Sequence, residues 1–147
     1  MATYDMTKGS NLALPVTGLG RHFVTPPAVL DCSVRPLANG DVVQMLQIPA
    51  KCRVERLFYE VTTAEGAAVT FTLGDGADAD GFIPSINGNA LGSGVSSLAL
   101  AEGGPNTIVG YSGGKYYATA DTIDLVAGAA AVKCRIVLRA EIVNFAD

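Results

Sequence analysis

Apolar and polar residues alternate with a two-residue period along much of this chain, and turn-forming residues interrupt the alternation at short intervals. The pattern is densest between Val42 and Phe82. A first apolar run, Val42–Ile48, stops at Pro49, which lacks a ladder donor and confines any continuing strand to an edge or bulge. In residues 54–63, Leu57, Tyr59 and Val61 alternate with Phe58, Glu60 and Thr62, as a strand requires. A third run places Val69, Phe71 and Leu73 on one face and Thr70 and Thr72 on the other. Residues 64–68 separate the last two runs, and Glu65-Gly66 there suits a hairpin loop. Towards the C-terminus, Val132, Cys134, Ile136, Leu138, Ala140 and Ile142 are predicted to face inward. Lys133, Arg135, Arg139 and Glu141 mark the solvated face of that strand, with Val137 and Val143 as apolar residues upon it.

The rest of the chain is more broken. Residues 1–28 read as an extended N-terminal arm ahead of a domain at 29–147. Gly9-Ser10-Asn11, Pro15, Gly18, Gly20 and Pro26-Pro27 disrupt any periodicity. Leu12, Leu14, Val16, Leu19, Phe23 and Val24 are nevertheless too apolar for a freely solvated tail and could dock on a neighbouring surface, with Leu12, Leu14, Leu19 and Phe23 the candidate contacts with another chain. A strand is expected at 29–34, closed by Pro36 and Asn39-Gly40. Residues 74–94 read as a loop. Asp75, Asp78 and Asp80 suggest calcium, but counting back from Gly81 puts Gly76 at the first ligand position of an EF-hand and Asn87 at the last. Turn chemistry accounts for those aspartates more simply. Residues 95–101 suit a short strand or a helical turn, and 107–111 a short apolar segment. Residues 115–118 and 122–126 are expected to pair around Ala120-Asp121, with Ile123 and Val126 inward and Tyr116 and Tyr117 on opposite faces.

About eight short strands spaced by Gly, Pro and Asn turns predict an all-β antiparallel sandwich or jelly roll. An immunoglobulin sandwich is disfavoured by the absence of tryptophan, and a cupin by a single histidine, His22. The length of 147 residues suits one domain. Charged residues make up only 16%, below the ~25% of ordinary soluble domains. That shortage favours association, and a homo-oligomer, dimer or trimer, is expected. A net charge of −4 argues against nucleic acid as a partner. No apolar run approaches the ~20 residues of a membrane span, and residues 1–10 lack the apolar core of a signal peptide. Cys32, Cys52 and Cys134 are odd in number and lack a CxxC spacing, so they read as buried hydrophobes rather than a disulfide framework or a zinc site. Lys51, Arg53, Lys133, Arg135 and Arg139 would form a local basic face if their strands are neighbours, although ordinary outward charge is the simpler reading.

Chemistry is scarce. One histidine allows no credible Ser-His-Asp set, and spacing locates no glycosidase carboxylate pair. No enzyme activity, cofactor or metal is expected. Tyr111, Tyr116 and Tyr117 could form a stacking platform for a carbohydrate.

The stretch GDVVQMLQIPAKCRVERLFYEVTTAEGAAVTFTLGDGADADGF resembles the middle of small structural proteins of tailed bacteriophages. The shared pattern is Gly-Asp before an apolar strand, Ile-Pro-Ala, a long strand ending in Thr-Thr, and a Thr-rich strand closed by Gly-Asp and Asp-Gly-Phe. The chain is most similar to jelly-roll capsid cement, or decoration, proteins. The resemblance implies a virion protein on the phage head surface, assembled in the host cytoplasm, whose partner is the major capsid protein. Tail or fibre components are the alternative within the same class.

Overall fold

The structure, a computed structural model, describes residues 1–6, 21–96, 111 and 114–145. Among these there is no helix, and eleven strands form two sheets. In chain order they are β1 (Thr3–Asp5), β2 (Arg21–Val24), β3 (Ala28–Asp31), β4 (Val42–Ile48), β5 (Cys52–Thr63) and β6 (Thr70–Gly74). They continue as β7 (Ile83–Asn87), β8 (Gly92–Val95), β9 (Lys115–Tyr117), β10 (Asp121–Ala127) and β11 (Arg135–Asn144). One sheet has the order β1-β4-β10-β6-β7, with β1 parallel to β4 and every other pair antiparallel. In the other, β11 and β5 are the central pair. β2 and β3 share the outer edge of β11, and β8 and β9 share the far edge of β5.

The core lies between the sheets, as a sandwich built from one apolar face per sheet requires. Val43, Met45, Ile48, Phe71, Leu73, Ile86, Ile123 and Leu125 come from the five-stranded sheet. Leu30, Val54, Leu57, Ile136, Leu138 and Ile142 meet them from the six-stranded sheet. The all-β sandwich expected from alternation is therefore the fold observed.

Register in β5 depends on one extra residue. Glu141 pairs with Arg56 and Ile142 with Val54, so Glu55 is unmatched and the strand bulges. Without that bulge, the three-residue step from Val54 to Leu57 would send one of them outward; with it, both are fully buried.

Several expectations are corrected. Residues 115–118 and 122–126 do not pair: β9 joins β5 in one sheet and β10 lies between β4 and β6 in the other. The reason is length. Three residues of β9 complete the edge of β5 beside Cys52, and the chain then crosses to the facing sheet. Val126 is only half-buried, because unbroken two-residue alternation from Ile123 turns Leu125 and Ala127 inward and Val126 to the other face. Val132 is 59% exposed, since it precedes β11 in a bend rather than sharing the strand's alternation. The expected loop at 74–94 contains β7, whose Ile83 and Ile86 are buried despite Pro84 between them. Pro84 is tolerated because β7 is an edge strand. Residues 97–100 and 107–110 lie outside the described residues, and with them most of the expected elements at 95–101 and 107–111.

Candidate interface face

The long pairing of β5 with β11 leaves a broad outward face on the six-stranded sheet. Register puts Val137 beside Glu60, Arg139 beside Phe58, Glu141 beside Arg56 and Val143 beside Arg53. On the flanks, Val95 lies beside Phe58, and Val24 beside Glu141. Together Val24, Phe58, Val95 and Val137 line an open groove of about 580 Å³, with Glu60 and Arg139 also on its walls. Val24 is 54% exposed and Val95 52% exposed, and both line this groove with Phe58 and Val137. β8 can lie low beside β5 because Gly94 has no side chain. A Cβ there would sit 2.5 Å from the Tyr59 ring.

The basic residues do not make a basic face. Their strands are neighbours, but acids are interleaved with them: Arg53 Nε lies 3.0 Å from Glu55, and Arg56 pairs with Glu141. His22 Nε2 also lies 2.6 Å from Glu141, on the same face. The face is thus apolar in its groove and charge-balanced around it, which is the composition of a protein-binding surface rather than a polyanion-binding one.

Of the residues singled out from sequence, Val137 lines the groove and Val143 is half-buried beyond it. Phe23 is turned the other way, half-buried against the core opposite Ile142. Leu12, Leu14 and Leu19 lie outside the described residues. Sequence reasoning placed Val24 among the apolar residues of the N-terminal segment that could dock on a neighbour, and it missed Phe58 and Val95. Only strand pairing brings these distant residues together, although Val95 follows Gly92-Ser93-Gly94, a polar, small-residue run that leaves it little to pack on.

The aspartate-rich loop is an internal anchor. The Asp75 side chain is fully buried, and its Oδ1 accepts hydrogen bonds from Ala77 N at 3.0 Å, Asp78 N at 3.0 Å and Tyr111 Oη at 2.8 Å. Its Oδ2 accepts from Tyr117 Oη at 2.7 Å and from Lys115 Nζ. Burial pushes the carboxyl up, yet the bonds from Lys115, Tyr117 and Tyr111 outweigh it and hold Asp75 below its ordinary range. Both oxygens are committed to the protein, and no group of three or more potential metal ligands occurs among the described residues. The tyrosines are dispersed as well. Tyr117 is buried on Asp75, and Tyr111 packs edge-on to Phe82 at 4.9 Å. Tyr116 alone of the three is exposed, against Phe145, so the expected carbohydrate platform is not formed.

Among the described residues the fold is a β-sandwich whose six-stranded sheet carries an open apolar groove. No protein-family model matches the chain, and no curated protein matches it. Solved structures do. A chain in the structure described as the capsid of Ralstonia phage GP4 superimposes with a TM-score of 0.67 at 12% identity, covering 97% of this chain and 96% of that one. A chain of the cyanophage Pam1 capsid asymmetric unit gives 0.58 at 11% identity, covering 92% and 94%. One from the acidic stable capsid structure of Helicobacter pylori bacteriophage KHP30 gives 0.58 at 12% identity, covering 85% and 90%. The chain therefore has a β-sandwich fold that occurs in phage capsids, in chains of nearly its own length.

Proposed function

We propose that this chain is a virion structural protein of the cement type, which binds the outer surface of a phage head and clamps adjoining major capsid subunits. The observation that carries the proposal is the near end-to-end correspondence with a separate chain of the Ralstonia phage GP4 capsid. A match of that extent is to a whole small chain rather than to one domain of a larger shell protein. In this reading the groove of Val24, Phe58, Val95 and Val137 is the surface that meets the shell, and burying it stabilises the assembled state by mass action. Many copies on one particle add avidity.

The test begins with purified particles of the parent phage. Mass spectrometry should find this chain in heads at a fixed ratio to the major capsid protein; its presence in tails alone would overturn the head assignment. Val24→Glu and Val95→Glu then probe the face. Both positions are more than half exposed, so melting temperatures should change by no more than about 2 °C. Co-sedimentation with undecorated shells should weaken roughly tenfold for each. Undiminished binding by both variants would remove this face from the contact.

A further inference from the structure

Cys32 and Cys134 are separated by 102 positions in sequence, yet their Sγ atoms lie 3.4 Å apart in the core. Both residues are completely buried. Their backbones are adjacent too: Cys32 N donates to Cys134 O at 2.9 Å, extending the β3–β11 pairing by one step. A disulfide needs sulfurs about 2.05 Å apart on backbones close enough to be bridged without rebuilding the fold. Hydrogen-bonded neighbours on paired strands meet the second condition, and small χ1 adjustments of both side chains can supply the first.

From this geometry we propose that Cys32 and Cys134 are a redox site: a dithiol in the newly made chain that closes to an intramolecular disulfide when a low-molecular-weight disulfide, such as oxidised glutathione, becomes available. The inference goes beyond the capsid reading and does not depend on it. The step balances as two thiol–disulfide exchanges. The Cys32 thiolate attacks one sulfur of the small disulfide, forming a mixed disulfide and releasing one small thiolate, with the Cys32 proton passing to solvent. Cys134 then gives up its proton to solvent and attacks the Cys32 sulfur as the thiolate, the protein disulfide forms, and the second small thiolate leaves, the two small thiolates taking up the two protons released. Two protein thiols are oxidised and one small disulfide is reduced to two thiols.

The order of events follows from the hydrogen bond, in which Cys134 S–H donates to Cys32 Sγ. That bond draws the Cys32 thiol down towards thiolate and pushes the Cys134 thiol up, which makes Cys32 the attacking group. Access requires local opening. Cys32 sits at the end of β3, where the chain turns into exposed Ser33 and Val34, so fraying there uncovers it. Cys134 is held instead by Glu65, whose carboxylate accepts from Val132 N, Lys133 N and Cys134 N at 2.9, 2.9 and 2.7 Å. A bond between the two sulfurs would fasten β3 to a strand already clamped from the other side. A chain made in a reducing compartment would acquire this link only on reaching an oxidising one.

The full chain is incubated with oxidised glutathione, natively at moderate temperature and, separately, during refolding from urea. Thiol titration under denaturing conditions should fall from the 3 cysteines of the sequence to 1, leaving Cys52. Peptide mass mapping should join the Cys32 and Cys134 peptides with loss of two hydrogens, and the melting temperature should rise on the order of 10 °C. Cys52→Ala should leave the cross-link intact, while Cys32→Ala and Cys134→Ala should each abolish both cross-link and rise. Three titratable thiols after both treatments would overturn the proposal. So would a cross-link to Cys52, a glutathione adduct that never resolves, or a linked protein that melts no higher than the reduced one.

Discussion

Asp75 shows how a loop that looks dispensable is tied to the core. Its carboxylate takes five hydrogen bonds, two from β9 of the facing sheet, one from Tyr111 and two from its own turn, and Lys115 Nζ also lies 4.1 Å from the centre of the Tyr111 ring. Asp75→Asn keeps the size of the side chain but leaves Lys115 without a counter-charge and turns one acceptor into a donor facing donors. Removing one partner of a buried pair costs about 3–5 kcal/mol; with the Lys115 side chain 24% exposed, the lower end is expected, measured by urea denaturation at pH 7. The pH dependence has a definite sign. A folded-state pKa below the unfolded one gives stability that is present above the unfolded value and lost as pH falls through the folded one. Asp75 and Glu65 are both lowered, so the wild-type melting temperature should fall as pH drops below roughly 4, and Asp75→Asn should show a shallower fall. Asp124 acts oppositely. Burial raises it, so its unfavourable ionisation is relieved in acid and partly masks the loss.

Among the strands, β5 and β11 set the register of the six-stranded sheet, and the short strands depend on them. β9 is only three residues long, and its approach to β5 rests on Gly114. Gly114 has φ +93°, and a Cβ there would stand 2.4 Å from Val54 O, a backbone atom that cannot move aside. Gly114→Ala combines left-handed strain with that clash, and it should displace Lys115 and Tyr117 from Asp75 at the same time. Its expected cost lies at the upper end of the usual range of about 0.5–3 kcal/mol for point substitutions. Hydrogen exchange should localise the loss to β9 and residues 75–82, with the centre of β11 still protected; uniform loss across β11 would show that β9 is not a separable element.

For the whole molecule, the N-terminal segment joins both sheets. β1 pairs with β4, and Ala2 N donates to Asp41 at 2.7 Å, while β2 pairs with the end of β11. Deleting residues 1–27 removes both strands and the Phe23 contact with the core, so that truncation should lower the melting temperature and is a poor probe of shell binding alone. Replacing Leu12, Leu14 and Leu19 together by Ser leaves β1 and β2 in sequence. If those leucines contribute to the proposed shell contact, this variant should melt as the wild type does and co-sediment with undecorated shells about tenfold less well. Equal binding would confine the contact to the sandwich.

Local periodicity was enough to read the sandwich and most of its core from sequence. Leu57, Val61, Phe71, Ile136 and Leu138 announce their faces, because strand geometry converts alternation into burial without reference to distant residues. The limits of β4 were likewise legible from Pro49 and Asn39-Gly40. Long-range pairing was not legible. It decided that β9 and β10 belong to different sheets, that Asp75 faces Lys115 rather than solvent, and that two cysteines 102 positions apart touch. The groove follows the same logic: Val24 and Val137 stand out as apolar residues in their own segments, but with Val95 they form a surface only when β2, β8 and β11 are brought into one sheet. Alternation states which side of a strand is apolar, whereas the neighbour that covers or extends that side is chosen by packing of the whole chain.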